Sequence, residues 1–411
     1  MPSRRDFLKT TGGLVLASGA TWRITHAHGA VPDPAGLAPL PSGTVASGDL
    51  EALAGKLPLI KRTWRPPNYE TPLSYFAEEF TPNKAFFVRY HLASIPEIAA
   101  EKWTLKVGGD AAATPFELNL EQLKRDFPAV DVAAVNQCSG NRRGLFDPHV
   151  PGVEWGVGAM GNARWKGARL KDVLAKAGLK KEALEISFDG ADGPVMPGTP
   201  DFQKSIPVWK ALDENTLIAY QMNGEPLPHW NGFPARIVVP GWTGTYWMKH
   251  VTSINAISKP FDNFWVKTGY RIPTNRFPLV EHFASQMTDA NEPITEMVVN
   301  SLITSLAVGQ EVAVGRAFEV KGVAWDGGRG IAGVDVSADG GRSWRSAALG
   351  TDYGRFSFRS FSHAFTPTER GTLTVMARAT NRAGATQTME LILNPAGYHH
   401  NVMQRIPVKA V

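Results

Sequence analysis

The sequence predicts an α+β fold, with a mixed α/β domain over residues 32–282 followed by an immunoglobulin-like β-sandwich over residues 283–411. Three observations carry this expectation. Brief runs of helical periodicity are interleaved with apolar, strand-like runs through the first part of the chain. Between residues 278 and 300 that periodicity largely disappears, and strict alternation of apolar and polar residues takes over. The 40 glycines, 30 prolines and 12 tryptophans suit a loop-rich chain of short strands.

Residues 1–31 are set aside as an export leader. In "SRRDFLKTTGGLVLASGATWRITHAHGA", twin arginines precede an apolar run and then small residues. Arg4 and Arg5 stand directly before the apolar run, which favours an address over an ordinary basic start. A twin-arginine address is typical of proteins that fold, often around a cofactor, before they cross the bacterial inner membrane, so a periplasmic location is expected. The apolar run at residues 12–20 is shorter than the roughly 20 residues that span a bilayer, and no later segment is long enough either, so no membrane insertion is expected.

After a proline-punctuated stretch over residues 50–80, "AFFVRYHL" and "WTLKVGG" read as short strands rich in aromatic and β-branched residues. "NLEQLKRDF" and "GARLKDVLAKAG" space their apolar residues as helices do, the second ending on a glycine suited to a C-cap. "ALEISFDG" and "PARIVVPG" are apolar strands bounded by turns. In the second domain, "AFEVKGVAWDGG", "GIAGVDVSADGGRSW", "FSFRSFSHAF" and "TLTVMARATN" alternate, and Asp339-Gly340-Gly341 marks a hairpin. Evenly spaced strands of this kind indicate a sandwich of about a hundred residues.

Most of the formal charge of +5 sits in the leader, where Arg4, Arg5, Lys9 and Arg23 face only Asp6. No basic run with interleaved aromatics follows, so no nucleic-acid partner is expected. The single cysteine, Cys138 in "NQCSGNRRG", cannot belong to an internal disulfide framework.

Free cysteine is commonly a small buried hydrophobe. Here Arg142 and Arg143 follow closely, and Gly140 and Gly144 let the backbone approach something bulky, so an activated or metal-bound thiolate is open. A cysteine nucleophile would want a histidine base, and His91, His149, His229 and His250 are candidates by type alone. His399-His400 read as surface residues, and His26 and His28 as part of the leader. No HExxH, CxxC or clustered histidine spacing supports a zinc site. One thiolate without protein partners suits a metal whose other ligands come from a cofactor.

Five segments then carry a resemblance. "FFVRYHL", "NQCSGNRRG", "GVEWGVGAMGNARWKGARLKDVL", "AYQMNGEPLPHWNGFPARIVVPGW" and the pair "GVAWDGG" and "VDVSADGGRSW" stand in the order they have in the sulfite oxidase family of molybdenum enzymes, and the chain particularly resembles its bacterial periplasmic sulfite dehydrogenases. The resemblance implies a molybdopterin-binding domain followed by a dimerisation-type sandwich. It implies that Cys138 gives its thiolate to molybdenum, with the pyranopterin dithiolene of molybdopterin and oxo groups completing the sphere; soft thiolate ligation agrees with that choice. Arg89 matches the family arginine beside the substrate oxyanion, and His91 its nearby histidine. Arg143 resembles the position beside the metal pocket, Trp155 a pocket-lining tryptophan, and Tyr270 the tyrosine near the oxo group. For these the plain alternatives are salt-bridged strand residues and buried structural aromatics. Arg236 and Lys249 resemble cofactor-phosphate contacts, the alternative being exposed charges, and Tyr90, Asp192 and Asn231 fall with them around the cofactor.

Two departures concern the anion pocket. Asn231 stands before "GFP" where many members have histidine, and Ala396 in "NPAGYHH" stands where animal sulfite oxidases place an arginine. The implied reaction is oxidation of sulfite to sulfate by oxo transfer, with electrons leaving singly. No CxxCH motif is present, so no haem is expected on this chain, and a separate c-type cytochrome is the expected acceptor or subunit. A homodimer and a heterodimer with cytochrome both stay open. The rival readings are a sulfoxide reductase of the same family and a non-enzymatic periplasmic binding protein with Cys138 simply buried.

Overall fold

The strand Ala129–Gln137 is half exposed where it starts and wholly buried over its last five residues, so it carries the chain from the surface into the core. The computed structural model describes residues 50–274 and 290–411, all within one unit spanning residues 34–411. The leader and both expected domain boundaries lie outside the described residues. Ala129–Gln137 pairs antiparallel with Met160–Arg169, from Ala129 opposite Ala168 to Gln137 opposite Met160. Met160–Arg169 pairs in turn with Leu217–Met222. A second sheet runs in the order Gln203–Pro207, Glu185–Gly190, Val251–Ile257, Thr104–Gly108, Phe116–Asn119.

The two expected helices form where their end signals stand. Leu120–Asp126 opens on a reciprocal cap: Asn119 Oδ1 accepts the Gln122 N–H at 2.9 Å, and Gln122 Oε1 accepts the Asn119 N–H at 2.8 Å. Leu170–Ala177 ends on Gly178, whose φ of 66° is the left-handed turn that glycine adopts without steric cost. "AFFVRYHL" contributes less strand than its composition suggests, only Val88–Arg89. Phe86 and Phe87 are instead buried in the core, where Phe86 packs edge-on against Trp165.

The second half is the expected sandwich. Asn300–Ile303, Phe318–Trp325, Arg359–Phe365 and Ala348–Leu349 form one sheet, and Glu311–Val312, Arg405–Ala410, Gly371–Asn381, Ile331–Ser337 and Arg345–Ser346 the other. Between them Ile303, Val320, Val336, Val375 and Ile406 are buried. Asp339-Gly340-Gly341 lies in the connection between Ile331–Ser337 and Arg345–Ser346, with both glycines at positive φ.

Three contacts tie the sandwich to the segment around Cys138. The Trp325 indole donates to Gln137 Oε1 at 2.7 Å, the Val135 N–H to the Phe356 carbonyl at 2.9 Å, and Arg142 Nη2 to the Ser301 carbonyl at 2.8 Å. On the other side, the buried Glu70 carboxylate accepts from Arg62 Nε at 2.6 Å and from the N–H groups of Gly156 and Gly158. Glu70→Ala would remove the buried ion pair with Arg62 and the acceptor of the Gly156 and Gly158 N–H groups, and is expected to lower unfolding free energy by about 3–5 kcal/mol in urea titrations. Asn119→Ala, which removes only a cap, is expected to cost about 1 kcal/mol.

Candidate active site

Cys138 is the first residue beyond the Ala129–Gln137 strand, and the loop it opens is pinned by the segment at residues 155–159. Its N–H bonds to the Ala159 carbonyl at 2.9 Å, Asn141 Oδ1 accepts the Ala159 N–H at 3.0 Å, the Arg142 N–H bonds to the Gly156 carbonyl at 2.7 Å, and the Gly144 N–H to the Trp155 carbonyl at 2.9 Å. Arg142 takes φ 69°, which turns the chain between Cys138 and Arg143.

Cys138 lines a narrow, partly open cleft together with Arg89, His91, Lys249 and Tyr270. Every residue the sequence placed in the site lines it except Arg143 and Trp155. Arg89 donates to the Tyr270 hydroxyl at 3.2 Å, to Asn68 Oδ1 at 3.3 Å and to the Tyr90 carbonyl. Burial works against its charge, but the Tyr270 hydroxyl and the Cys138 thiol beside it hold the guanidinium above the ordinary arginine value. His91 Nε2 is bonded to the Tyr270 hydroxyl, and its ring stacks on Phe202. Burial, with Arg89, Lys249 and Lys204 adding to it, pushes the imidazole well below its usual value, so His91 is neutral. Burial also raises the Tyr270 phenol, although Arg89 and Arg143 oppose it.

The other wall is cationic. Lys249 Nζ donates to the Arg89 carbonyl at 2.5 Å and sits over the Tyr90 ring. Arg236 donates to the carbonyls of Asn231 and Trp247, each at 2.9 Å. Burial pulls Arg236 down to about 9 and Lys249 well below its usual value, with Asp192 acting against the latter shift. Asp192, itself raised by burial, is the one carboxylate lining the cleft among the described residues. Tyr90 bonds His250 Nε2 at 2.8 Å, while His250 Nδ1 meets the Phe233 carbonyl at 2.7 Å. A carbonyl only accepts, so Nδ1 carries the proton and Tyr90 donates to Nε2. His250 is therefore committed and no base for Cys138.

Arg143 sits behind the cleft wall. Nε donates to the Ala396 carbonyl at 3.0 Å, Nη1 to the Val153 carbonyl at 3.2 Å, and the guanidinium lies 5.2 Å from the Tyr398 ring. A Cβ on Gly140 would come within 2.5 Å of it. Trp155 does not line the cleft; it is wholly buried in the core beneath the Cys138 loop. The surface reading of His399-His400 is corrected: His400 is buried edge-on against Phe146, and burial pulls His399 down to about 4 and His400 to about 3. His26 and His28 lie outside the described residues.

Among the described residues, no group of three or more His, Cys, Asp or Glu side chains is arranged to hold a metal ion. The cleft fits a polar heterocycle with an anionic tail. Asn136 Oδ1, Ser139 Oγ, Thr245 Oγ1 and Arg236 Nε are buried, line it and have no hydrogen-bond partner among the described residues. Gly244 leaves room there, since a Cβ would lie 2.5 Å from Asn136 Oδ1. Asn136 and Ser139 stand in the quoted "NQCSGNRRG" but were not singled out, and Thr245 has no sequence signal.

Residues 91–265 match the oxidoreductase molybdopterin binding domain, and residues 291–411 the Mo-co oxidoreductase dimerisation domain. Mitochondrial sulfite oxidase of Rattus norvegicus is 34% identical over 364 residues, covering 84% of this chain and 65% of its own length. The Homo sapiens enzyme is 37% identical over 295 residues, covering 69% and 52%. The sulfane dehydrogenase SoxCD from Paracoccus pantotrophus shares the fold at a TM-score of 0.72, over 87% of each chain and at 24% identity. The chain belongs to the sulfite oxidase family, and it spans between about half and two-thirds of the length of these curated relatives.

The buried histidines set an acid limit. His250 and His400 are both pulled by burial from 6.5 to about 3, so the unfolded chain binds protons that the folded chain cannot. Stability is expected to be full above about pH 6.5 and to fall as pH drops toward 3, by up to about 1.4 kcal/mol per pH unit for each histidine. Urea midpoints between pH 7 and 4.5 check this, and His400→Gln should flatten the slope.

Proposed function

We propose that the protein is a sulfite dehydrogenase, oxidising sulfite to sulfate and passing the electrons one at a time to a c-type cytochrome. The observation that carries this reading is the convergence of Cys138, Arg89 and Tyr270 in one cleft whose charged lining is largely cationic. Relatives named sulfite oxidase support the substrate. Cys138 would hold molybdenum, with Arg236 and Lys249 on the anionic end of molybdopterin. When bound, that cofactor supplies oxygen-atom transfer to sulfur and accepts two electrons, the oxygen deriving from water and two protons being released.

The chain's own residues bind and orient. Arg89 keeps its charge and donates to a sulfite oxygen, a charge-assisted bond in a site where little water weakens it. Neutral His91 fixes the Tyr270 hydroxyl, which keeps its proton and donates toward the same anion. Arg143 holds Tyr398 beneath Tyr270, the two rings stacking at 5.9 Å and 5°. The twin-arginine segment in "SRRDFLK" supports export to the periplasm, and the match of residues 291–411 to a dimerisation domain supports pairing with a second copy or a cytochrome subunit.

Sulfite-dependent reduction of ferricytochrome c, measured beside molybdenum content, tests the reading. Wild type is expected to be active with about one molybdenum per chain, and Cys138→Ser to lose both metal and turnover, since soft thiolate ligation is removed. Arg89→Met is expected to keep its metal and raise KM for sulfite at least tenfold, the loss of one charge-assisted bond. Molybdenum without sulfite turnover in wild type would point to sulfoxide reduction, and folded protein without metal from a cofactor-competent host would point to a binding protein.

A further inference from the structure

Lys56 lies on the turn between Leu50–Glu51 and Leu59–Thr63, where Gly55 at φ 74° directs the chain inward. Its N–H closes the turn on the Leu53 carbonyl at 2.9 Å, and the Ala54 carbonyl accepts the Trp230 indole N–H at 2.9 Å. The turn is thereby clamped over His229–Asn231. The Lys56 side chain is buried, and its ammonium meets the Asn83 carbonyl at 2.8 Å, the Phe86 carbonyl at 3.0 Å and Asn231 Oδ1 at 2.5 Å. Three acceptors for three protons match the charged form, and no carboxylate is among them. Burial pulls the group down to about 7.

Asn231 lines the cleft, and both its ends are committed: Nδ2 donates to the Phe87 carbonyl at 3.1 Å, and its backbone carbonyl accepts from Arg236. Lys56 is also near enough to Lys249 for its charge to weaken that ammonium's hold on its proton. A buried cation with neutral partners, within electrostatic reach of Lys249, opposes folding by desolvation and repulsion. Methionine would fill the same space but would leave the three acceptors without a donor and offer no attraction for an anion.

We propose that Lys56 is a positioning residue for the anionic end of the molybdenum cofactor, holding a positive charge behind Asn231 that adds to those of Arg236 and Lys249. This rests on the molybdopterin reading above. The phosphate of the bound cofactor would sit against Arg236 and Lys249, while Lys56 acts through the Asn231 amide and through space.

Lys56→Met and Lys56→Arg, made both in a molybdopterin-producing host and in one that cannot make it, test the proposal without an activity assay. The readouts are the melting temperature of cofactor-free protein, and pterin per chain from the fluorescence of its oxidised, released form, followed as salt is raised. Cofactor-free Lys56→Met is expected to fold with a melting temperature somewhat below wild type, since three acceptors lose their donor, and to hold pterin about tenfold more weakly at low salt with the difference shrinking as salt is raised, while Lys56→Arg keeps most of it. Lys56→Met that keeps pterin as wild type does at every salt concentration overturns the proposal, and so does Lys56→Met that fails to fold without cofactor, which makes Lys56 structural. Wild type lacking pterin, from a host that loads a control molybdenum enzyme, sinks the molybdopterin reading itself. Pterin bound without sulfite turnover bears on the reaction and leaves the Lys56 result to be read on its own terms.

Discussion

Crowding cations into one desolvated cleft is the constraint around which this molecule is organised, and backbone carbonyls are what make it tolerable. Arg236 is held by the carbonyls of Asn231 and Trp247, Lys249 by that of Arg89, Lys56 by those of Asn83 and Phe86, and Arg143 by those of Val153 and Ala396. A carboxylate partner would neutralise each charge locally. A carbonyl satisfies the donor geometry and leaves the net charge to act on an incoming anion. Most carbonyls of this kind lie outside the sheets, that of Arg89 on the short strand Val88–Arg89 being the exception. They come from the turns and short 3₁₀ segments, such as His229–Asn231, that interrupt the first half of the chain.

The sandwich is part of the same device. Trp325 reaches Gln137, the residue before Cys138, and the 394–400 segment supplies the Ala396 carbonyl to Arg143 and the Tyr398 ring to Tyr270. The Cys138 loop is thus gripped from both sides, by residues 155–159 within its own half and by the sandwich beyond. A ligand that must sit at a fixed distance from other donors needs such two-sided support, since a loop held at one side alone is free to pivot.

Much of this was legible in the sequence because it rests on local rules. The Asn119 cap, the Gly178 stop and the alternation of "VDVSADGG" each predict their own element, and the lone thiol before an arginine pair drew attention to Cys138. What was not legible depends on partners distant in the chain. Lys56 and Asn231 are 175 residues apart, and a lysine whose partners are carbonyls looks like any surface lysine in sequence. Trp155 and Arg143 were placed at the cleft by resemblance, yet the structure sets them behind its lining, Arg143 acting through Tyr398 and Ala396. The His399-His400 pair looked superficial because histidine is commonly exposed, whereas chain reversal at His399, φ 56°, turns His400 onto Phe146.

Tyr270 shows how such distant support fixes a single functional group. Its φ of 60° is uncommon for a bulky residue and costs on the order of 1 kcal/mol, so the surroundings must over-determine it. They do so from four directions. The Ile294 N–H bonds the Tyr270 carbonyl at 2.9 Å, Tyr398 stacks on the ring, Lys204 lies 5.2 Å from the ring centre, and Arg89 and His91 share the hydroxyl. Lys204 is in turn buried and bonded to the Trp265 carbonyl at 2.6 Å, again an amine held by a carbonyl, and burial pulls it down to about 7. With its backbone, ring and hydroxyl each constrained separately, the phenol has little freedom to follow a moving proton or ligand, which suits it to the fixed neutral donor that the proposed function asks of it.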